Sequence, residues 1–143
     1  MKDDNLRKLT DEETRRLHEI FAEVPYAHLL GMELEELERG SATLAMEVRD
    51  ELRRNGGITH GGAIASLIDS AAAFAIMTLL EPGKSTTTID LTVQFLRPLL
   101  EGRARARARV VRSGRRVTVV AVDVTGQTEL LLATALTSYL MLG

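Results

Sequence analysis

The sequence predicts an α+β protein in which one antiparallel sheet wraps around a single long central helix. Three observations carry this. Residues 61 to 80 are almost wholly apolar and hold one charge, Asp69. A helix apolar nearly all round must be covered on most sides. The segments on either side of it alternate in polarity with the two-residue period of half-buried strands. The order of elements is short helix, two strands, long helix, four strands, which packs as one sheet layer and one helix.

The elements follow in chain order. Thr10 to Phe21 predicts a short surface helix, with Thr10 as N-cap, Glu13 completing a capping box, and Leu17, Ile20 and Phe21 as its apolar face. Pro25 ends it. Met32 to Leu37 and Ser41 to Val48 are two strands joined by a tight turn at Arg39-Gly40. In the second, Ala42, Leu44, Met46 and Val48 alternate with Ser41, Thr43, Ala45 and Glu47. Asp50 to Asn55 is a polar loop. His60 to Leu80 is the long helix, about 31 Å at 1.5 Å per residue, stopped by Pro82-Gly83.

Four strands come after it. Ser85 to Leu96 places Ile89, Leu91, Val93 and Phe95 on one face and Thr88, Asp90, Thr92 and Gln94 on the other. Gly102 to Val111 places four arginines, Arg103, Arg105, Arg107 and Arg109, opposite Ala104, Ala106, Ala108 and Val110. This stripe is either a solvated face or an attraction for phosphates. Arg116 to Thr125 and Thr128 to Met141 are apolar on both faces, which predicts central positions in a covered sheet. One helix covers only one sheet face, so a second copy of the chain is expected to bury part of the rest. Residues 1–24 read as an N-terminal helical extension and 25–143 as the main domain.

Composition narrows the function. A chain of 143 residues with 45% hydrophobic and 27% charged residues suits one globular domain. The net charge of -2 gives no overall pull on nucleic acid or anionic membrane. Aromatic content of 3% leaves no base-stacking platform. The absence of cysteine removes disulfides, cysteine-based zinc sites and a thiol nucleophile. No metal and no cofactor is expected. The charged start of the chain has no leader-like apolar core, and Asp69 with the Ala, Gly and Ser content argues against a membrane span at 61–80. A cytoplasmic protein is expected. No Gly-x-Ser-x-Gly elbow and no phosphate loop is present.

The informative stretch runs from Asn55 to Asp69. A glycine-rich turn carries His60, then Gly61 and Gly62 open the long helix. Unpaired N–H groups at a helix N-terminus, aligned with its dipole, stabilise developing negative charge. Glycine there lets a ligand approach the backbone closely. Asp69 lies two turns further on, and its helical neighbours Ala65, Ser66, Ala72 and Ala73 are all small. Burying an uncompensated carboxylate costs several kcal/mol, so a reaction or a bound partner is expected to offset it.

The run Gly57-Ile58-Thr59-His60-Gly61-Gly62, with Leu67 and Asp69 seven and nine residues past the histidine, resembles the hotdog-fold thioesterases of the phenylacetic-acid-pathway (PaaI) type. Leu30-Gly31-Met32, Thr88-Ile89-Asp90-Leu91, Phe95-Leu96-Arg97-Pro98 and Ser113-Gly114-Arg115 add to the resemblance. It implies a hotdog fold and hydrolysis of an acyl-coenzyme A thioester between two protomers, in a homodimer or a dimer of dimers. Under it, the Gly61 N–H meets the thioester carbonyl and His60 shapes the turn. Asp69 attacks directly or activates water, and Thr88 helps position that water. The family's Asn, six residues before the histidine, is Arg54 here; Asn55, one place later, is the residue offered for that role. A non-catalytic acyl-coenzyme A-binding module is the alternative.

Overall fold

A computed structural model describes residues 7–143; residues 1–6, the start of the expected N-terminal extension, lie outside the described residues. Helix α1 spans Asp11–Ala22 and begins as expected. The Thr10 hydroxyl accepts from the Glu13 N–H at 3.0 Å, and the Glu13 carboxylate accepts from the Thr10 N–H at 3.4 Å. Leu17 is buried, and Phe21 meets Phe74 edge-on with ring centroids 5.4 Å apart. Pro25 ends α1 but also starts a second helix, α2 (Pro25–Leu30), where none was expected. Proline suits the first helical position because its missing N–H has no partner there, and Gly31 at φ 69° closes the turn.

Six strands form one antiparallel sheet: β1 (Met32–Glu38), β2 (Ser41–Glu47), β3 (Ser85–Phe95), β4 (Arg103–Ser113), β5 (Val117–Thr125) and β6 (Leu131–Leu142). Their spatial order is β1-β2-β4-β5-β6-β3. The chain leaves β2, crosses the sheet as helix α3 (Gly61–Met77) and returns on the far edge as β3. The two strands expected to be central, β5 and β6, are interior. Helix α3 lies over β2, β4 and β5. Its Leu67, Ile68, Ala71, Ala72 and Ala75 are wholly buried. Ala104, Ala106 and Ala108 of β4 are buried beneath it, and such small side chains let helix and sheet approach closely.

Several boundaries differ from the sequence-based expectation. Helix α3 begins at Gly61, with His60 as its cap, and ends at Met77 rather than Leu80. Thr78 draws the chain away: its hydroxyl donates to the Ala75 carbonyl at 2.6 Å and accepts from the Gly40 N–H at 2.7 Å. The expected loop at 50–55 contains a 3-10 turn, Asp50–Leu52. Strand β3 stops at Phe95, and β6 starts at Leu131 because a turn through Glu129, at φ 59°, precedes it.

The arginine stripe faces outward, and three of its four members, Arg103, Arg105 and Arg107, are paired. Arg103 meets Glu33 at 2.9 Å and Glu47 at 3.1 Å, Arg105 meets Glu35 at 2.8 Å, and Arg107 meets Glu129 at 3.5 Å. The Arg103 guanidinium holds the exposed Glu33 carboxyl below its usual range. These long side chains cover the outer face of β2, whose Thr43 and Ala45 are buried although they point away from α3. Among the described residues no helix is long and apolar enough to cross a membrane.

Candidate active site

The turn before α3 is a small hairpin. Arg54 N–H donates to the Ile58 carbonyl at 2.8 Å, Arg53 and Thr59 bridge, and Gly56 and Gly57 adopt φ 97° and 86°. Only glycine takes two such successive conformations readily. His60 follows with φ -61° and ψ 133°, and its backbone N–H is held by the Leu52 carbonyl at 2.7 Å. The imidazole Nδ1 accepts from the Gly62 N–H at 2.8 Å. His60 therefore caps α3 with its ring. A Cβ on Gly62 would come within 2.9 Å of that nitrogen, which explains glycine at 62.

The Gly61 N–H has no acceptor among the described residues. It is the first N–H of a 17-residue helix, at the positive end of the dipole. The Phe95 ring of β3 lies close over Gly61: a Cβ there would meet its Cζ at 3.3 Å. Beside it opens a cleft of about 250 Å³, walled by Ile58, Ile64, Phe95, Leu99 and Leu132. The Thr59 hydroxyl, buried in the same wall, has no hydrogen-bond partner among the described residues.

Asp69 is half-buried on α3, facing β3 and β6. The Thr88 hydroxyl donates to Oδ1 at 2.7 Å. Strict alternation along β3 puts Thr88 on the face of Asp90 and Thr92, away from Leu91. The structure corrects this. The ladder between β3 and β6 slips between Thr88 and Asp90, leaving Ile89 without a partner. One bulged residue reverses the side-chain face on its far side. Thr88 thus pairs with the buried Tyr139, on the helix-facing side, and Ile89 is pushed outward to 54% exposure.

Tyr139 is the site residue that sequence reasoning missed. Its hydroxyl lies 2.5 Å from Asp69 Oδ1 and 2.6 Å from the Asp69 backbone carbonyl, and it donates toward both. Burial, reinforced by this bond to Asp69, pushes the phenol well above its usual range. It therefore stays protonated, and a donor, at neutral pH. A tyrosine on an apolar strand reads as core, and its partner lies seventy residues away, so the sequence carries no local signal.

Asn55 takes a different position. It is exposed at the tip of the hairpin, and no side-chain hydrogen bond joins it to His60, Gly61 or Asp69 among the described residues. The geometry therefore forms two groups: His60 with Gly61 at the helix start, and Asp69 with Thr88 and Tyr139 two turns on. Eight residues separate Gly61 from Asp69, about 12 Å along the helix axis.

Comparison with known proteins bears on the family and the fold. The family model described as thioesterase superfamily matches residues 56–133, from the glycine turn into β6. The medium/long-chain acyl-CoA thioesterase YigI of Escherichia coli is 32% identical over 150 aligned positions, covering 93% of this chain and 97% of that protein. A thioesterase family protein from Silicibacter pomeroyi superposes with a TM-score of 0.84 at 28% identity, over 91% of this chain and 98% of that one. The PaaI protein from the E. coli phenylacetic acid degradation operon superposes at 0.86, over 94% and 96%, with 24% identity, a likeness of fold alone. With a six-stranded sheet wrapped around one helix and a family match through the turn and helix that carry the acidic site, this chain belongs to the thioesterase superfamily, as a hotdog-fold thioester hydrolase.

Proposed function

We propose that the protein hydrolyses acyl-coenzyme A thioesters, using Gly61 and Asp69 in the reacting step and Thr88 and His60 in support. The observation that carries this is the state of two groups on α3. The Gly61 N–H has no acceptor, and Asp69 receives both its hydroxyl donors on Oδ1, so Oδ2 has no partner among the described residues. Water on Oδ2 gives up a proton as its oxygen attacks the thioester carbon. The carbonyl oxygen gains charge, which the Gly61 N–H stabilises. The C–S bond then breaks, the thiolate takes the proton, and a carboxylic acid and coenzyme A leave. Direct attack by Oδ2 gives the same products through an anhydride that water opens. Asn55, exposed at the hairpin tip, receives no part in the chemical step.

The direct-attack form of this reading calls for two copies. Direct attack on a carbonyl held by an N–H spans about 7 Å, from two contacts near 3 Å and one C=O bond. Gly61 and Asp69 of one chain are about 12 Å apart along the axis. Two antiparallel copies of α3 bring Gly61 of one beside Asp69 of the other, making two sites per symmetric dimer. The outer edge of β3 is unpaired among the described residues, and Ile89 and Phe95 along it are more than half exposed. Leu136 and Leu140, on the outer face of β6, offer a second apolar surface for a dimer of dimers.

A panel of acyl-coenzyme A thioesters, followed with a thiol-detecting dye, tests the substrate class. Release of thiol with a preference among acyl groups is expected. Binding of acyl-coenzyme A without thiol release from any member of the panel would overturn the reading.

A further inference from the structure

We infer that Tyr139 is a positioning residue for hydrolysis, clamping the Asp69 carboxylate so that one of its oxygens is left for the reaction. The inference rests on the proposed role of Asp69. Its geometry is direct. The Tyr139 hydroxyl spans Oδ1 of Asp69 and the carbonyl of the same residue, at 2.5 and 2.6 Å. A donor that bridges a side chain to its own backbone fixes the torsion between them. Thr88 adds a second hydroxyl to Oδ1 at 2.7 Å. Oδ1 is thereby committed to two donors from two strands, β3 and β6, and Oδ2 is the oxygen that remains. Rotating the carboxylate out of this arrangement breaks both bonds at once.

The clamp itself is rigid. Tyr139 is 2% exposed, its neighbour across the ladder is Thr88, and the bulge at Ile89 aligns the two hydroxyls. The alignment therefore depends on one unpaired residue in β3. A phenol fits this task because it reaches across from the sheet on a rigid ring and stays protonated beside a carboxylate. It does not touch the thioester carbon; it acts through Asp69.

Tyr139→Phe keeps the ring and removes the donor. Hydrogen bonds to charged groups carry enough energy to predict a fall in kcat of about 10-fold or more with KM changed by less than about 2-fold. In an Asp69→Asn background, the same substitution should change the residual rate by less than about 2-fold, since its route through the carboxylate is gone. An unchanged kcat, or an equal loss in both backgrounds, overturns the inference. The kinetics use whichever thioester the wild type cleaves, so a failed acyl-coenzyme A panel is distinguished from a failed clamp. A second readout needs neither turnover nor the Phe variant. The chain has two tyrosines, so 3-fluorotyrosine labelling gives two 19F signals, assigned with Tyr26→Phe. Asp69→Asn should move the Tyr139 signal; a signal that stays in place refutes the contact even where Tyr139→Phe does not fold.

Discussion

Two inactive variants should restore each other if the site is shared between protomers. The first, Asp69→Asn, removes the carboxylate at nearly constant volume. The second, Gly61→Pro, removes the N–H, and the structure indicates that the turn tolerates it. Gly61 is the first residue of α3, the position where proline is favoured. The preceding residue, His60, already has the extended backbone that proline demands of its predecessor, φ -61° and ψ 133°. The nearest obstacle is Phe95, whose ring meets the new Cβ at 3.3 Å and must yield by a few tenths of an ångström. Loss of one oxyanion donor costs about 2.7–4 kcal/mol, or roughly 10²–10³ in kcat. Each variant alone is therefore nearly silent. After joint unfolding and reassembly, random pairing makes about half the dimers mixed, and each mixed dimer holds one site with both lesions and one with neither. About a quarter of wild-type turnover should return. Native mass spectrometry establishes that mixed dimers are present, and the thiol assay reads the rate. Background activity in a mixture that contains them would refute the shared site, as would light scattering that finds an active single chain of 15.7 kDa.

Asp69→Asn by itself should lower kcat about 10²-fold or more, the scale of general-base loss, with the far-ultraviolet circular dichroism of the wild type. Thr88→Val should lower kcat by less than Asp69→Asn, since Tyr139 still donates to the same oxygen; a loss equal to that of Asp69→Asn would show that Thr88 holds the water itself. Leu67→Ala, at a wholly buried position of α3, should cost about 3–5 kcal/mol in denaturant unfolding at fixed protein concentration. Arg39 holds the Glu13 carboxyl below its ordinary value of 4.5, chiefly through their 2.7 Å contact. That contact stabilises the fold above pH 4.5 and is lost as pH falls through the lower folded value. Glu13→Gln should therefore be less stable than wild type at pH 7, with the difference shrinking below pH 4.5; a constant difference across that range would refute the pairing.

Much of this protein was legible in its sequence because the signals are local. The capping box at Thr10 needs four residues, and α1 starts where it predicts. The alternation in β2 and β4 needs about eight, and Leu44, Met46 and the β4 alanines are buried as read. The glycine turn, His60 and Asp69 lie on one continuous stretch, so turn, helix start and carboxylate could be placed on a helix without any knowledge of the sheet. The termini of elements were less legible. Helix α3 ends three residues early because Thr78 bonds to Gly40, and that partner is known only once β2 lies beside the helix.

The tertiary structure alone decided how the carboxylate is held. Period-two reasoning assigns a face to each residue of a strand only while the ladder keeps its register, and one bulge at Ile89 reverses Thr88. The Tyr139 hydroxyl reaches Asp69 across seventy residues of chain. No local pattern encodes that distance, because it is set by where β6 falls beside β3. Composition and period thus determine which residues are apolar, turning or charged, whereas strand register and helix placement determine which polar atoms meet. The reason is physical: burial depends on a residue's own chemistry, and a hydrogen bond depends on the positions of two atoms to within a few tenths of an ångström.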